Sequence, residues 1–385
     1  MPTSPANRTV CTMAESAPGR RERAMQVGTD DGIRDALEGA FRSISERAAG
    51  YGPEFSLFVD AAFDSLCGGK LLRPTVLMEA RDALMGNTAH GRAAALEIAA
   101  AIEFLHFSFL LHDDVIDGDL FRRGRLNFIG SAYASRRPGA RILAAETGNL
   151  DPGLLHWARS GGILMGDLLL SRAHQIIARQ DLPHPVRLRL LEVLEHSVTE
   201  SVAGEFLDVG LGDAVIAPDL DTAMAMSRLK TAAYTFELPL RAACILAGLP
   251  REVEGDVGNV GRQLGTVFQL QDDYLSTFGD AGEHGKDTYS DLREGKETTI
   301  IAFARTTDAW PAISEHFGDK QLSMDTAGRI RELLIRCGAE TYSRSLIDHR
   351  LDLCAAQIDE LEDSLPAPMT ALLVRLTESL AGRRS

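Results

Sequence analysis

Three features that are common in other classes of protein are missing from this sequence of 385 residues. Basic residues are not in excess, because 40 Lys and Arg stand against 55 Asp and Glu and give a net charge of −15. Since binding to a phosphate backbone needs a basic surface, we expect no nucleic-acid partner. No uninterrupted apolar run reaches the roughly 18 residues of a membrane-spanning helix. The best stretch, 98–111, contains Glu103 and His106, so we also expect no stable membrane insertion.

The third missing feature is a framework of paired cysteines. The five cysteines are scattered and never spaced as CxxC: Cys11, Cys67, Cys244, Cys337 and Cys354. This pattern is typical of free thiols in a reducing compartment and argues against a structural zinc site. The first 28 residues contain no apolar segment of the kind found in signal peptides, so the expected location is cytoplasmic.

What the chain does have is helical periodicity. The segment 1–28 is polar and is expected to be disordered, whereas 29–385 carries apolar residues at helical spacing almost throughout. Breaks that contain proline or glycine, at 183–185, 218 and 248–250, separate the long helical stretches. We therefore predict an all-α fold, a single-domain bundle of about ten or more helices.

One segment does not follow the helical pattern. Residues 125–151 contain several glycines and Pro138 and lack a clear period. A loop of this length inside a domain usually covers a functional site or is disordered. We predict a long loop here.

Two clusters of aspartates follow long apolar stretches. Asp113, Asp114 and Asp117 form the first, and the spacing of Asp113 and Asp117 places both carboxylates on one face of a helix. Asp272 and Asp273 form the second, at the predicted end of another helix. Carboxylates at this end face the negative pole of the helix dipole, so a cation is needed among them. One such cluster is typical of a solvated helix end, but two indicate a hard metal ion with oxygen ligands, Mg²⁺ rather than zinc.

Basic residues lie where a diphosphate bridged by Mg²⁺ to these aspartates would need them. Lys70 and Arg73 are three apart and are predicted on the first turn of a helix. The other candidates are Arg122 and Arg123 after the first cluster, Lys230 within a predicted helix, and Lys286 after the second cluster. Each one alone is typical of a surface cation, and only their combination indicates a diphosphate site.

Seven motifs, taken in order, resemble those of the trans-polyprenyl (isoprenyl diphosphate) synthase family, of the short-chain type. They are GGKxxRP at 68–74, His106 seven residues before Asp113, DDxxD at 113–117 followed by RRG at 122–124, GDLLL at 166–170, KT at 230–231, FQxxDD at 268–273 and DLREGKET at 291–298. There are departures. Ser276 stands where a third aspartate of the second motif is usual, Leu126-Asn127 replace a common Pro-Thr, and Asp287 and Tyr289 replace the usual Pro and Gly.

The resemblance implies that 29–385 is one catalytic domain, a helical bundle around a central cavity, in a homodimer. It implies that isopentenyl diphosphate joins an allylic diphosphate (dimethylallyl, geranyl or farnesyl) head to tail and that pyrophosphate leaves. The aspartates that would hold about three Mg²⁺ ions are Asp113, Asp117, Asp272 and Asp273, with Asp114 in the same catalytic motif. The allylic diphosphate would be bound by Arg122, Lys230 and Lys286, and the isopentenyl diphosphate by Lys70, Arg73, His106 and Arg123. Thr231 and Gln269 match positions that steady the reacting carbons.

The resemblance also identifies Ser108 and Phe109, just before Asp113, as positions that set product length. By helix geometry Phe109 lies about 6 Å deeper than Asp113 and only ~40° off its face, in the path of a growing prenyl tail. One small and one bulky residue favour the twenty-carbon product, geranylgeranyl diphosphate. Farnesyl diphosphate or a longer product is the alternative.

Two other functional classes stay open. A class I terpene cyclase shares the helical fold, but it does not need the second diphosphate site indicated by Lys70 and Arg73. A silent subunit of a heteromeric synthase is the non-enzymatic alternative, and the retained aspartate motifs argue against it.

Overall fold

Apolar side chains at helical spacing form helices along nearly all of the chain in the computed structural model. It describes residues 30–67, 69–86, 88–122, 124–136, 150–279 and 289–384. The α-helices are α1 (Asp30–Ala48), α2 (Pro53–Cys67), α3 (Leu72–Met85), α4 (Arg92–Ile116), α5 (Phe128–Ser135), α6 (Pro152–Ala178), α7 (His184–Gly212), α8 (Leu220–Ser227), α9 (Leu238–Leu246), α10 (Arg251–Phe278), α11 (Ser290–Glu294), α12 (Thr299–Arg305), α13 (Trp310–Ser314), α14 (Met324–Arg336), α15 (Ala339–Glu360) and α16 (Ala367–Ala381). The predicted all-α fold is confirmed. The N-terminal segment that we expect to be disordered lies outside the described residues.

Three kinds of shorter element complete the chain. A π-helix, Arg228–Glu237, joins α8 to α9. Strands β1 (Phe121–Arg122) and β2 (Arg125–Leu126) pair as a small antiparallel hairpin. Single turns of 3₁₀ helix, Ala49–Tyr51 and Gly382–Arg384, follow α1 and α16.

Long helices begin where the sequence supplies a cap or a proline. The Asp151 side chain accepts a hydrogen bond from the Leu154 backbone N–H at 3.0 Å, and Pro152 occupies the first position of α6. Helix α7 begins directly after Pro183. Such residues satisfy or remove the N–H groups that a helix start leaves unpaired, so the predicted break at 183–185 is a real boundary.

Helix α4 is the apolar helix that carries the first aspartate cluster. It packs against α1, α3 and α6. Within the described part of the chain it is the one helix long and apolar enough to cross a membrane, but 67% of its apolar window is buried inside the protein. This burial is typical of a central core helix, which brings Asp113 and Asp117 to the edge of a dry interior.

Two apolar clusters make up the core, one centred on α4 and α6 and the other on α10 and the helices after it. The π-helix and α9 contribute to both. Tyr234 and Leu238 belong to the first cluster, and Phe236 and Leu240 to the second. The π-helix therefore contributes to both clusters, and it packs mainly against α10 and α7.

The prediction of a long loop over 125–151 is wrong in its first part. Strand β2 and helix α5 lie there, and Asn127 starts α5 because its side-chain oxygen accepts a hydrogen bond from the Gly130 N–H at 2.9 Å. This N-cap is the local signal that outweighed the missing period. Residues 137–149 lie outside the described residues.

Two helix boundaries also differ from prediction. Lys70 precedes α3 instead of lying on its first turn, because Leu71 adopts a left-handed backbone conformation with φ of 51°. Helix α10 does not end at the second aspartate cluster but continues to Phe278. Asp272 and Asp273 therefore lie inside the last two turns of α10.

Candidate active site

The last turn of α4 brings the first aspartate cluster to the centre of the site. The Asp117 backbone N–H donates to the Asp113 carbonyl oxygen and closes the helix. The Asp114 side chain is buried, and that of Asp113 is 22% exposed. The predicted helix end is confirmed, and its aspartates sit in a partly buried setting where charges interact strongly.

Lys230, near the start of the π-helix, is surrounded by carboxylates. Its Nζ lies 3.1 Å from Asp113 Oδ1, 3.0 Å from Glu205 Oε2 and 2.6 Å from Asp208 Oδ2. Burial opposes the charge of this amine, but the three carboxylates outweigh it and raise the Lys230 pKa well above its usual range. Burial likewise opposes the charge of Asp113, yet Lys230 and Arg122 hold the pKa of this carboxyl below its usual value.

Arg122 reaches the same aspartates from the β-hairpin. Its Nη2 donates to Asp113 Oδ2 at 3.0 Å and to Asp114 Oδ1 at 2.7 Å. Burial raises the pKa of Asp114 to about 6 even though Arg122 stabilises its charge. These contacts join Arg122 to the first motif. Its role in binding the allylic diphosphate stays a prediction, and Arg123 lies outside the described residues.

The second aspartate cluster is tied to the π-helix by a chain of hydrogen bonds. The Thr231 hydroxyl donates to Gln269 Oε1 at 2.7 Å, and Gln269 Nε2 donates to Asp273 Oδ1 at 2.8 Å. Burial, reinforced by the nearby Asp291, raises the pKa of Asp273 to about 8. Its Oδ2 is buried and accepts no hydrogen bond from the described residues.

Residues to which the sequence analysis assigned no binding role also lie at this cluster. Arg383, beyond α16, donates through Nη2 to Asp272 Oδ1 at 2.9 Å. Ser276, in the place of a third aspartate, donates to the Asp291 carboxylate of α11. A carboxylate from the next helix therefore stands beside the position where the second motif lacks one.

Lys296 joins the first aspartate cluster to helix α11. Its Nζ lies 3.5 Å from Asp117 Oδ2 and 3.1 Å from Glu294 Oε2. It belongs to the DLREGKET motif, which was the available signal for it. Glu205 and Asp208 were missed as well, and their three-residue spacing on one face of α7 was the only local hint. Lys286 lies outside the described residues.

The donor set fits a hard divalent cation. The polar atoms around Lys230 are carboxylate oxygens from α4 and α7, and the second motif adds the unpartnered Oδ2 of Asp273. Such oxygens are the ligands that Mg²⁺ prefers. A divalent cation would also lower the pKa of Asp273, since it favours the charged carboxylate.

A tighter group of metal-type donors lies elsewhere. His196, Glu200 and Glu237 are the one set of three or more such residues, within the described ranges, whose ligand atoms all lie within 4.8 Å of one another. Arg262 fills this group: its guanidinium is 2.9 Å from Glu200 and Glu237 and 3.0 Å from His196 Nε2. Because Arg262 already neutralises these side chains, the group is an internal ion-pair network.

The structure brings together some, but not all, of the residues predicted to bind isopentenyl diphosphate. Arg73 is 8% exposed and donates from Nη2 to Thr235 Oγ1 of the π-helix at 2.9 Å. The His106 ring stacks on Tyr234 with centroids 5.7 Å apart. These two residues meet at the same tyrosine. Lys70 is exposed in the turn before α3 and forms no ion pair with any residue that the structure describes.

The two positions predicted to set product length face different surroundings. Phe109 is partly exposed and packs edge-to-face on Tyr234, with ring centroids 5.2 Å apart. Ser108 is fully buried, and its hydroxyl has no partner among the described residues. Of the two, Phe109 is therefore the one placed beside the other site residues.

Close backbone contacts fix the π-helix. A Cβ on Gly204 of α7 would lie 2.2 Å from the Lys230 backbone nitrogen, and one on Gly265 of α10 would lie 2.5 Å from the Ala232 Cα. Only glycine permits these distances. The backbone that carries Lys230 is thus clamped between α7 and α10.

Comparisons with known proteins identify relatives of this chain. A family model described as polyprenyl synthetase matches residues 57–333. The geranylfarnesyl diphosphate synthase of Aeropyrum pernix is 31% identical over 72% of this chain and 79% of its own length. The octaprenyl diphosphate synthase of Escherichia coli K12 is 30% identical over 77% of this chain and 81% of its own length. The geranylgeranyl pyrophosphate synthase of Corynebacterium glutamicum, solved with isoprenyl diphosphate and magnesium, has a TM-score of 0.81 at 27% identity and covers 93% of this chain and 100% of its own.

Replacing Gly204 by alanine is expected to destabilise the protein, because the new methyl group would collide with the Lys230 backbone. Overpacking of this kind costs about 1–3 kcal/mol of unfolding free energy. Unfolding in urea measures it. Gly212→Ala, on the same helix with no atom within 4 Å of the added Cβ, is the matched control. Equal unfolding free energies for the two variants would contradict the close packing described above.

Proposed function

The chain belongs to the polyprenyl synthetase family and is a prenyltransferase that makes isoprenyl diphosphates, and from that premise we propose its substrates, metal and product. It joins isopentenyl diphosphate head to tail to dimethylallyl, geranyl or farnesyl diphosphate with Mg²⁺, and its main product is geranylgeranyl diphosphate. One observation carries the proposal. Lys230 contacts Asp113 of the first motif, and the adjacent Thr231 connects through Gln269 to Asp273 of the second.

The chemistry requires the allylic C–O bond to ionise, which leaves a carbocation and a charged diphosphate. Mg²⁺, held by Asp113, Asp117, Asp272 and Asp273, supplies charge neutralisation for this leaving group when bound. The cations of the chain act with it. They are Arg122, Lys230 and Lys296, which already face the aspartates. Preorganised cations of this kind stabilise developing negative charge without having to rearrange.

The second substrate is bound beside the carbocation. Arg73 and His106 both pack against the ring of Tyr234 and are proposed to hold the isopentenyl diphosphate. Thr231 and Gln269 steady the reacting carbons. The last proton is taken by the departing pyrophosphate, as the family resemblance implies. The apolar cluster around α4 excludes the water that would quench the carbocation.

Product length follows from the wall beside α4. In this proposal the Phe109 ring, which packs against Tyr234, closes the prenyl site at the depth of a twenty-carbon product. The relatives named above make geranylfarnesyl, octaprenyl and geranylgeranyl diphosphates, so membership of the family does not by itself fix the length. Farnesyl diphosphate or a longer product is the alternative.

An exposed apolar face on α7 supports a homodimer. Val202, Phe206 and Val209 share one side of this helix by their spacing, and Phe206 is 74% exposed. Patches of this kind mark interaction surfaces. A second copy of the chain is the proposed partner. Light scattering should give about twice the chain mass of 41.7 kDa, and a single-chain mass would contradict the proposal.

The proposed location is the cytoplasm, without stable membrane insertion. The burial of α4 inside the protein supports this, because its apolar residues are already covered. Fractionation of cells into soluble and membrane parts tests it. Recovery in the membrane fraction would count against it.

The reaction is tested by incubating the purified chain with each allylic diphosphate, isopentenyl diphosphate and Mg²⁺. We expect longer diphosphates by mass spectrometry and no turnover after Mg²⁺ is chelated. Asp113→Ala should lower turnover by a factor of at least about 100, because it removes both a proposed metal ligand and a partner of Lys230. Asp60→Ala, at an exposed position on α2, is the control. A cyclic hydrocarbon product would indicate a cyclase, and an inactive wild-type chain a silent subunit.

Two further variants separate the diphosphate sites. Arg73→Ala should raise the Michaelis constant for isopentenyl diphosphate roughly ten- to a hundredfold, since a charge-assisted contact is lost. Lys230→Ala should raise that for the allylic substrate instead. Steady-state kinetics with each substrate varied in turn measure both effects. If each variant affects the two substrates equally, the assignment of the two sites is wrong.

Phe109→Ala tests the floor of the prenyl site. If the ring closes the path of the tail, the variant should stay folded and its products should lengthen by at least one five-carbon unit. The products are measured by mass spectrometry and the folding by circular dichroism. A folded variant with an unchanged product profile would place the floor elsewhere.

A further inference from the structure

Tyr234 is the aromatic residue on which several proposed substrate contacts converge. It lies in the π-helix and is 8% exposed. The Arg73 guanidinium carbon lies 4.6 Å from its ring centroid, the His106 ring stacks on it, and the Phe109 ring meets it edge-to-face. Its hydroxyl has no hydrogen-bond partner among the residues that the structure describes. The neighbours of Tyr234 therefore contact its ring and not its hydroxyl group.

Two contacts hold the guanidinium group of Arg73 in place. The Tyr234 ring faces the guanidinium at cation–π distance, and Thr235, the next residue, accepts a hydrogen bond from Arg73 Nη2 at 2.9 Å. A cation held over an aromatic face is attracted by the negative face of the ring, and more strongly where water is excluded. Since Arg73 is almost completely buried, these two contacts determine where its remaining N–H groups point.

The ring of Tyr234 also contacts Phe109. Edge-to-face packing restricts how a ring can tilt, so Tyr234 limits the positions that Phe109 can adopt. Phe109 is only partly buried, and the described structure gives its ring no other aromatic partner. Loss of the Tyr234 ring would therefore leave Phe109 free to swing away from the path of the tail.

The position of Tyr234 in the chain connects both effects to the metal site. It follows Lys230 by four residues, about one turn of the same π-helix, whose backbone is clamped at Lys230 and Ala232 by the glycines of α7 and α10. A shift of this one segment would move the Lys230 cluster and the Tyr234 ring together. The two diphosphate sites thus share a single rigid support.

We propose that Tyr234 is a positioning residue that holds Arg73 and His106 for the isopentenyl diphosphate and, through Phe109, sets the depth of the prenyl tail. This inference rests on the proposed function. It predicts that loss of the Tyr234 ring changes the Michaelis constant for isopentenyl diphosphate but not that for the allylic substrate. It also predicts a change in product length. A residue that merely fills the core would lower stability without either change.

The test compares Tyr234→Leu, Tyr234→Phe and Phe236→Leu with the wild-type chain. Phe236 is the matched control because it lies in the same π-helix and packs against Phe268, away from Arg73. The readouts are the Michaelis constant for each substrate, product length by mass spectrometry and the melting temperature. If Tyr234→Leu does not fold, Tyr234→Met replaces it. Methionine also lacks a ring, and its flexible side chain has a volume similar to that of leucine.

Tyr234→Leu should raise the Michaelis constant for isopentenyl diphosphate about three- to thirtyfold, leave that for the allylic substrate unchanged, and lengthen the product by one five-carbon unit. Tyr234→Phe should match the wild type, and Phe236→Leu should lower only the melting temperature. Equal changes in both Michaelis constants, or none, would overturn the proposal, and a selective change with unaltered products would overturn the role of Phe109. A wild-type chain that makes no prenyl diphosphate would instead refute the proposed function.

Discussion

The ion-pair cluster around Lys230 is the interaction on which the rest of the site depends. Asp113 comes from α4, Glu205 and Asp208 from α7, and the amine from the π-helix between them. Carboxylates that approach this closely in a partly buried setting repel one another unless a cation stands among them. Lys230 lets three helical elements meet at one point. It also leaves the site rich in carboxylate oxygens, the ligands that a hard divalent cation prefers.

The amine of this cluster belongs to a π-helix. Helical segments of this type are rare and often mark functional sites. Here the segment gives Tyr234 to one apolar cluster and Phe236 to the other, while Thr231 faces α10 through Gln269. Glycines on α7 and α10 let the neighbouring backbones come close enough to hold it. One short segment therefore carries both Lys230 and Tyr234.

Much of the site was predictable because its signals are local. The spacing of Asp113 and Asp117 placed both carboxylates on one helix face, and the structure has Asp113 on the last turn of α4 and Asp117 as its C-cap. Arg122 follows them so closely in the chain that a short hairpin was enough to bring it back. Other predictions failed where one residue outweighed the pattern. The left-handed Leu71 removed Lys70 from α3, and the Asn127 cap started a helix where a loop was predicted.

The sequence by itself determined the helical fold, the two aspartate motifs and the family, because these depend on periodicity and on residues close together in the chain. The tertiary structure alone decided that Glu205 and Asp208 of α7 surround Lys230, that Lys296 reaches Asp117, and that Arg383 reaches Asp272. It also decided that Arg73, His106 and Phe109 meet at Tyr234. These contacts join residues far apart in the chain. Which of them form depends on how the helices pack, and helix packing follows from the fit of whole surfaces, which no short motif encodes.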